Sequence, residues 1–135
     1  MDIITHAAVG AYTGSLFGYP ITGAICGIAA DLPIMRITRY KSPPLAYNAT
    51  HSAIAAIIVG MAGYAIQGSP AAFLAYCSHL FLDVFTHGKQ WGSPLLYPIP
   101  YRFSFMPEWE FFNKSFWCGL FLSFLWSFTL WFLIK

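Results

Sequence analysis

Six residues with metal-binding or proton-handling side chains interrupt sequence that is otherwise strongly apolar: His6, Asp31, His51, His79, Asp83 and His87. A carboxylate or a ligating imidazole is costly to hold in apolar surroundings unless it is paired or coordinated. Six of them in one small chain predict a shared partner, and a divalent metal suits nitrogen and carboxylate-oxygen donors best. His79-Leu80-Phe81-Leu82-Asp83 puts an imidazole and a carboxylate one turn apart on one helix face, and His87 extends that face by a further turn. Without thiolates, the donors suit zinc, manganese, iron or nickel, zinc being the usual hydrolytic choice. Cys26, Cys77 and Cys118 are isolated within apolar runs and read as small buried hydrophobes.

The elements that must position these groups are helical. The first apolar stretch, 7–35, is broken at Gly18-Tyr19-Pro20, where glycine ends one helix and proline opens the next. A helical hairpin follows, its arms ending near Phe17 and beginning near Pro20. A basic loop holds Arg36, Arg39, Lys41, Pro43 and Pro44; a third helix is expected from about Thr50 to Ile66. Gln67-Gly68-Ser69-Pro70 turns the chain into a fourth, reaching about His87. Glycines and prolines from Gly88 to Pro107 prevent regular helix across a long aromatic loop, and a fifth helix, 116–134, is long enough to span a bilayer. The expected architecture is all-α, an integral membrane bundle of about five helices. Two hairpins carry the metal site and the C-terminal helix crosses the membrane.

On one straight helix His6 and Asp31 would stand ~37 Å apart; folded about Gly18 they meet at one level. His6, Gly10, Gly14 and Gly18 recur at i+4, as do Gly23, Gly27 and Asp31, so each arm presents a small-residue stripe suited to close helix packing. Asp2, four residues before His6, is placed to orient its imidazole from outside the ligand set.

Composition sets the outer limits. The 135 residues are 58% hydrophobic and 9% charged, with mean hydropathy +0.60. Soluble domains carry roughly 25% charged residues, so an integral membrane protein is indicated, with residues 1–135 as a single domain. A net charge of +2 without a basic stripe excludes a nucleic-acid partner. Asp2 and the lack of Lys or Arg before the first apolar run argue against a signal peptide. The basic residues fall in the two long loops, which the positive-inside rule makes cytoplasmic together with the site.

Thr5-His6 with Gly10, Asp31-Leu32-Pro33, Thr50-His51-Ser52, and the His79 to Asp83 segment followed by Gly88 and Pro94 resemble the YdjM-like membrane-bound metal-dependent hydrolases. In motif order that family is similar to the zinc-dependent phospholipases C. The resemblance covers roughly residues 1–105. It implies His6, Asp31, His51, His79 and Asp83 as ligands of one or two zinc ions, with Asp83 the bridge. It further implies an enzyme of the inner (cell) membrane of a bacterium or archaeon, cleaving a phosphoester or lipid-headgroup-like substrate by metal-activated water. Asp83 or Asp31 would orient the water, and His87 or Glu108 would assist the leaving group. Lys89 and Arg102 would contact an anionic headgroup. For His87 a ligand, a proton shuttle and a simple interfacial role stay open. The phospholipase pattern continues with a downstream His-xxx-Glu pair that this chain lacks. The rival readings are metal or ion transport and a structural metal without catalysis. Membrane lipids and a small-molecule or lipid substrate are the expected partners, and the last helix offers a surface for a second copy.

Overall fold

The computed structural model describes residues 3–34, 43–105 and 114–134. Among them six helices follow in order: α1 (Ile3–Ser15), α2 (Pro20–Ile28), α3 (Leu45–Thr50), α4 (Ala53–Gln67), α5 (Ala71–Thr86) and α6 (Lys114–Ile134). A single 3-10 turn occupies Lys89–Trp91, and the described residues contain one isolated bridge, Ser93 to Phe103, and no strand. The all-helical bundle with two hairpins is therefore as the sequence predicts.

Each hairpin turns on a glycine in the left-handed region, Gly18 (φ +82°) and Gly68 (φ +63°), where a side chain would be strained. Gly68 closes α4 by donating its N–H to the Tyr64 carbonyl at 2.8 Å. Pro20 opens α2, where its missing N–H would have had no intrahelical partner. Tyr19 Oη donates to the Gln67 carbonyl at 3.1 Å, and Gln67 Nε2 donates to Thr22 Oγ1 at 2.6 Å. The two turns are thus tied together, and the open ends of both hairpins lie at the other end of the bundle.

Within the first hairpin, backbone meets backbone. A Cβ on Gly23 would collide with the Gly10 carbonyl oxygen and stand 2.8 Å from Gly14 Cα. The i+4 stripes do what their spacing predicts. α5 runs through the centre, packed on α1, α2, α4 and α6, with eleven of its 16 residues buried. α6 contains Trp117–Ile134, long and apolar enough to cross a membrane by length and composition, and mostly exposed. It is held to the bundle by Trp126, whose Nε1 donates to Thr13 Oγ1 at 3.0 Å and whose ring lies 5.5 Å from that of Phe81.

Two local expectations need correction. The third helix does not begin near Thr50. A short helix, α3, ends there, His51 caps it, and Ser52 starts α4 by accepting from Ala55 N at 3.1 Å. Pro44, at the N-cap of α3, starts a helix in a segment read as loop. The second correction concerns α2, which stops at Ile28, so Asp31 sits in the turn beyond it rather than on the helix.

Candidate metal centre

α5 contributes His79 and Asp83, one turn apart and both fully buried. The break between α3 and α4 contributes His51, α1 contributes His6, and both are buried. Asp31 enters from the turn after α2 with its side chain 22% exposed, and His87, at the C-cap of α5, is 21% exposed. Four elements thus deliver all six predicted groups to the open end of the hairpins.

Two imidazoles have their orientation fixed from behind. His79 Nδ1 lies 2.8 Å from the carbonyl of Gly27, and His51 Nδ1 lies 3.1 Å from that of Tyr47. A carbonyl only accepts, so each Nδ1 is the donor. The Gly27 carbonyl lies in the last turn of α2, where helix geometry leaves acceptors without intrahelical donors, whereas the Tyr47 carbonyl accepts the His51 backbone N–H at 2.9 Å as well as its ring. Nε2 of each ring is then left facing inward as a lone pair, the arrangement found behind metal-ligating histidines.

The result is a triangle of acceptors. His51 Nε2 and His79 Nε2 stand 3.2 Å apart, and Asp83 Oδ2 lies 3.3 and 3.1 Å from them. Three inward-facing acceptors at this separation repel one another unless a cation, a proton on His51 Nε2 or a metal ion in its place, sits among them. Tetrahedral zinc with Zn–N and Zn–O bonds of ~2.0–2.1 Å has donor–donor edges of ~3.3 Å, so this donor set fits such an ion. Asp31 Oδ1, 3.3 Å from His51 Nε2 and 3.8 Å from His79 Nε2, can serve as a fourth donor.

The other oxygen of Asp83 faces a different pair. His6 Nε2 lies 3.0 Å and His87 Nδ1 3.2 Å from Oδ1, and the His6 ring stacks on that of His79 at 3.9 Å. His6, Asp31 and His79 also form a group able to hold a metal ion, as do His51, His79 and Asp83. Folding about Gly18 does bring His6 to the level of Asp31, and among the described residues the closest carboxylate to His6 is that of Asp83.

Outside the helices, the turn-borne groups are strongly coupled. Burial opposes charge on His51, yet its hydrogen bonds to Asp31 and Asp83 outweigh that and raise its pKa above the ordinary histidine value. Burial likewise pushes Asp31 up, but the hydrogen bond from His51 and the charge of His79 bring it below the usual carboxylate range.

Of the remaining predicted residues, Lys89 is exposed on the 3-10 turn past His87. Arg102 donates to the Gly92 carbonyl at 3.0 Å and to Asn48 Oδ1 at 2.6 Å, and it lies over the Tyr47 ring. It braces the long loop against α3. Asp2, Glu108 and the basic residues Arg36, Arg39 and Lys41 lie outside the described residues. Sequence reasoning missed Tyr47, which stacks on His51 at 3.8 Å and donates its hydroxyl to the Trp91 carbonyl. The signal available was its position four residues before His51, one helical turn.

A helical bundle with an apolar C-terminal span and a buried His/Asp cluster able to hold a metal defines a membrane protein with a candidate metal site. The chain belongs to the YdjM inner membrane protein family, whose model matches residues 1–134. No curated protein and no solved structure was found to match it.

Proposed function

We propose that the protein is a membrane-embedded metal-dependent hydrolase, with zinc the favoured ion, acting on a phosphoester or lipid-headgroup-like substrate near the cytoplasmic interface. The observation that carries this reading is the acceptor triangle of His51 Nε2, His79 Nε2 and Asp83 Oδ2 with edges of 3.1–3.3 Å. When bound there, a zinc ion supplies Lewis acidity and lowers the pKa of water towards neutrality. Asp31 and His87, the two members of the cluster with side chains partly open, stand where substrate and water would arrive. Asp31 orients the attacking water, and His87, held against Asp83 Oδ1, passes a proton to the leaving group. Lys89, exposed beside His87, supplies positive charge for an anionic headgroup. The basic residues of the two long loops support a cytoplasmic, headgroup-depth position for these groups through the positive-inside rule.

Elemental analysis of detergent-purified protein tests the reading, with His79→Ala and Asp83→Ala alongside wild type. Stoichiometric zinc in wild type, lost in both variants, is the expected result, followed by hydrolysis in a screen of phosphodiesters and phospholipids. Folded wild-type protein without any divalent metal would sink it. Bound metal with no ester cleaved would return the site to metal transport or a structural role.

A further inference from the structure

A second feature lies on the flank of α5 beside the metal cluster. Between α4, α5, the 93–105 loop and Trp126 of α6 runs an apolar groove of about 660 Å³. It continues through Ile57 and Phe73 into a second apolar hollow of about 440 Å³ against α4. Along α5 it extends from Phe73 to Phe85, a rise of ~18 Å at ~1.5 Å per residue.

Three observations say what fills it. Trp126 belongs to Trp117–Ile134, the segment able to cross the membrane, so this wall of the groove borders hydrocarbon. The groove's length matches one leaflet, half of a hydrocarbon core ~30 Å thick. Its upper end is roofed by Phe103 and Phe105, and that roof is joined to the metal cluster. Phe105 N donates to the Val84 carbonyl at 3.0 Å, and Ser104 Oγ donates to the His87 carbonyl at 2.7 Å. Val84 and Leu80 line the groove while their neighbours Asp83 and His79 face the cluster.

We infer that this groove holds one acyl chain of a membrane lipid, whose headgroup then lies at the His87 side of the metal cluster. The inference rests on the hydrolase reading for its consequence: the substrate class becomes a long-chain lipid ester rather than a soluble phosphoester. α5 acts as the divide, presenting one face to the chain and the adjacent face to the headgroup.

The test reconstitutes the full-length protein in vesicles of phosphatidylethanolamine and phosphatidylglycerol doped with a phosphatidylglycerol carrying a diazirine near the end of one acyl chain. After irradiation, cross-linked peptides are mapped by mass spectrometry and zinc content is measured on the same samples. Adducts should concentrate on the α5 stretch from Phe73 to Phe85 and on Trp126. They should disappear in Cys77→Trp and in Ile57→Trp, each of which fills the groove from a different wall; the second keeps the centre of α5 intact should the first misfold. Adducts spread evenly over the exposed outer face of α6 (Phe121, Phe128 and Phe132), or undiminished in both filled variants, would overturn the inference. Groove labelling in a protein without metal would support the acyl-chain site and sink the hydrolase reading. Bound zinc without groove labelling would do the reverse.

Discussion

The two hairpins perform the same turn by opposite means of packing. Both reverse on a left-handed glycine, and both open towards the metal cluster. The first is closed by bare backbone: Gly10 and Gly14 lie directly on Gly23 and Gly27, leaving no room for a single methyl group. The second is closed by side chains. A Cβ at Gly60 would meet the Phe73 ring, and one at Gly63 would meet the Ala72 methyl. Where backbone touches backbone, the relative height of two arms is fixed without adjustable parts, and it is this hairpin that must bring Asp31 level with a residue 25 positions earlier. Where side chains intervene, the surface keeps hollows, and the apolar groove lies along the second hairpin.

This contrast can be broken most severely at Gly23. Gly23→Leu drives a side chain into the Gly10 carbonyl and should destabilise the protein by about 3 kcal/mol or more, read as loss of the folded fraction in thermal unfolding. Next comes Asp83→Ala, which removes the one carboxylate shared by four histidines. It should abolish stoichiometric metal, weakening binding by about 100-fold or more, read by titration with a fluorescent chelator. A third effect follows from protons. His51 must lose its proton to offer Nε2, and its pKa is raised, so a proton competes for that nitrogen at higher pH than it would at an ordinary histidine. Zinc affinity should fall by about tenfold for each pH unit below that pKa, checked by chelator competition across neutral and mildly acid pH. Gly60→Ala sharpens the comparison at the lower end. The added methyl meets both the Phe73 ring and its Cβ at 2.8 Å, so α5 must give slightly, and the loss should stay at about 1–2 kcal/mol, below that of Gly23→Leu, with zinc content unchanged. A shift as large as that of Gly23→Leu would show that both hairpins are equally unyielding.

Much of this was legible before any coordinates. The glycine stripes, the two punctuated turns and the His79–Asp83 spacing all obey rules of local geometry, and the six convergent groups follow from them. What the sequence could not supply was the pairing. His6 does come beside Asp31, as expected, but Asp83 on α5 lies closer still at 3.0 Å, and that contact depends on how α5 packs against both hairpins. α3 was hidden because Pro43 and Pro44 read as loop, although a proline at an N-cap is compatible with the helix that follows. The role of Arg102 in bracing the loop depends on Asn48, 54 residues away, a contact that no periodicity encodes.

The six groups are scattered from residue 6 to residue 87 over four separate elements, and this has a consequence during synthesis. As the chain leaves the ribosome, α1 and α2 can meet as soon as α2 emerges, since the contacts of Gly10 and Gly14 with Gly23 and Gly27 lie within the hairpin. It then waits with His6 and Asp31 but without Asp83, which lies some fifty residues later in the chain. On the proposed metal reading the full donor set exists only once α5 has slotted into place, so metal content would report completion of the core, and a chain cut short before α5 ends would lack His79 and Asp83.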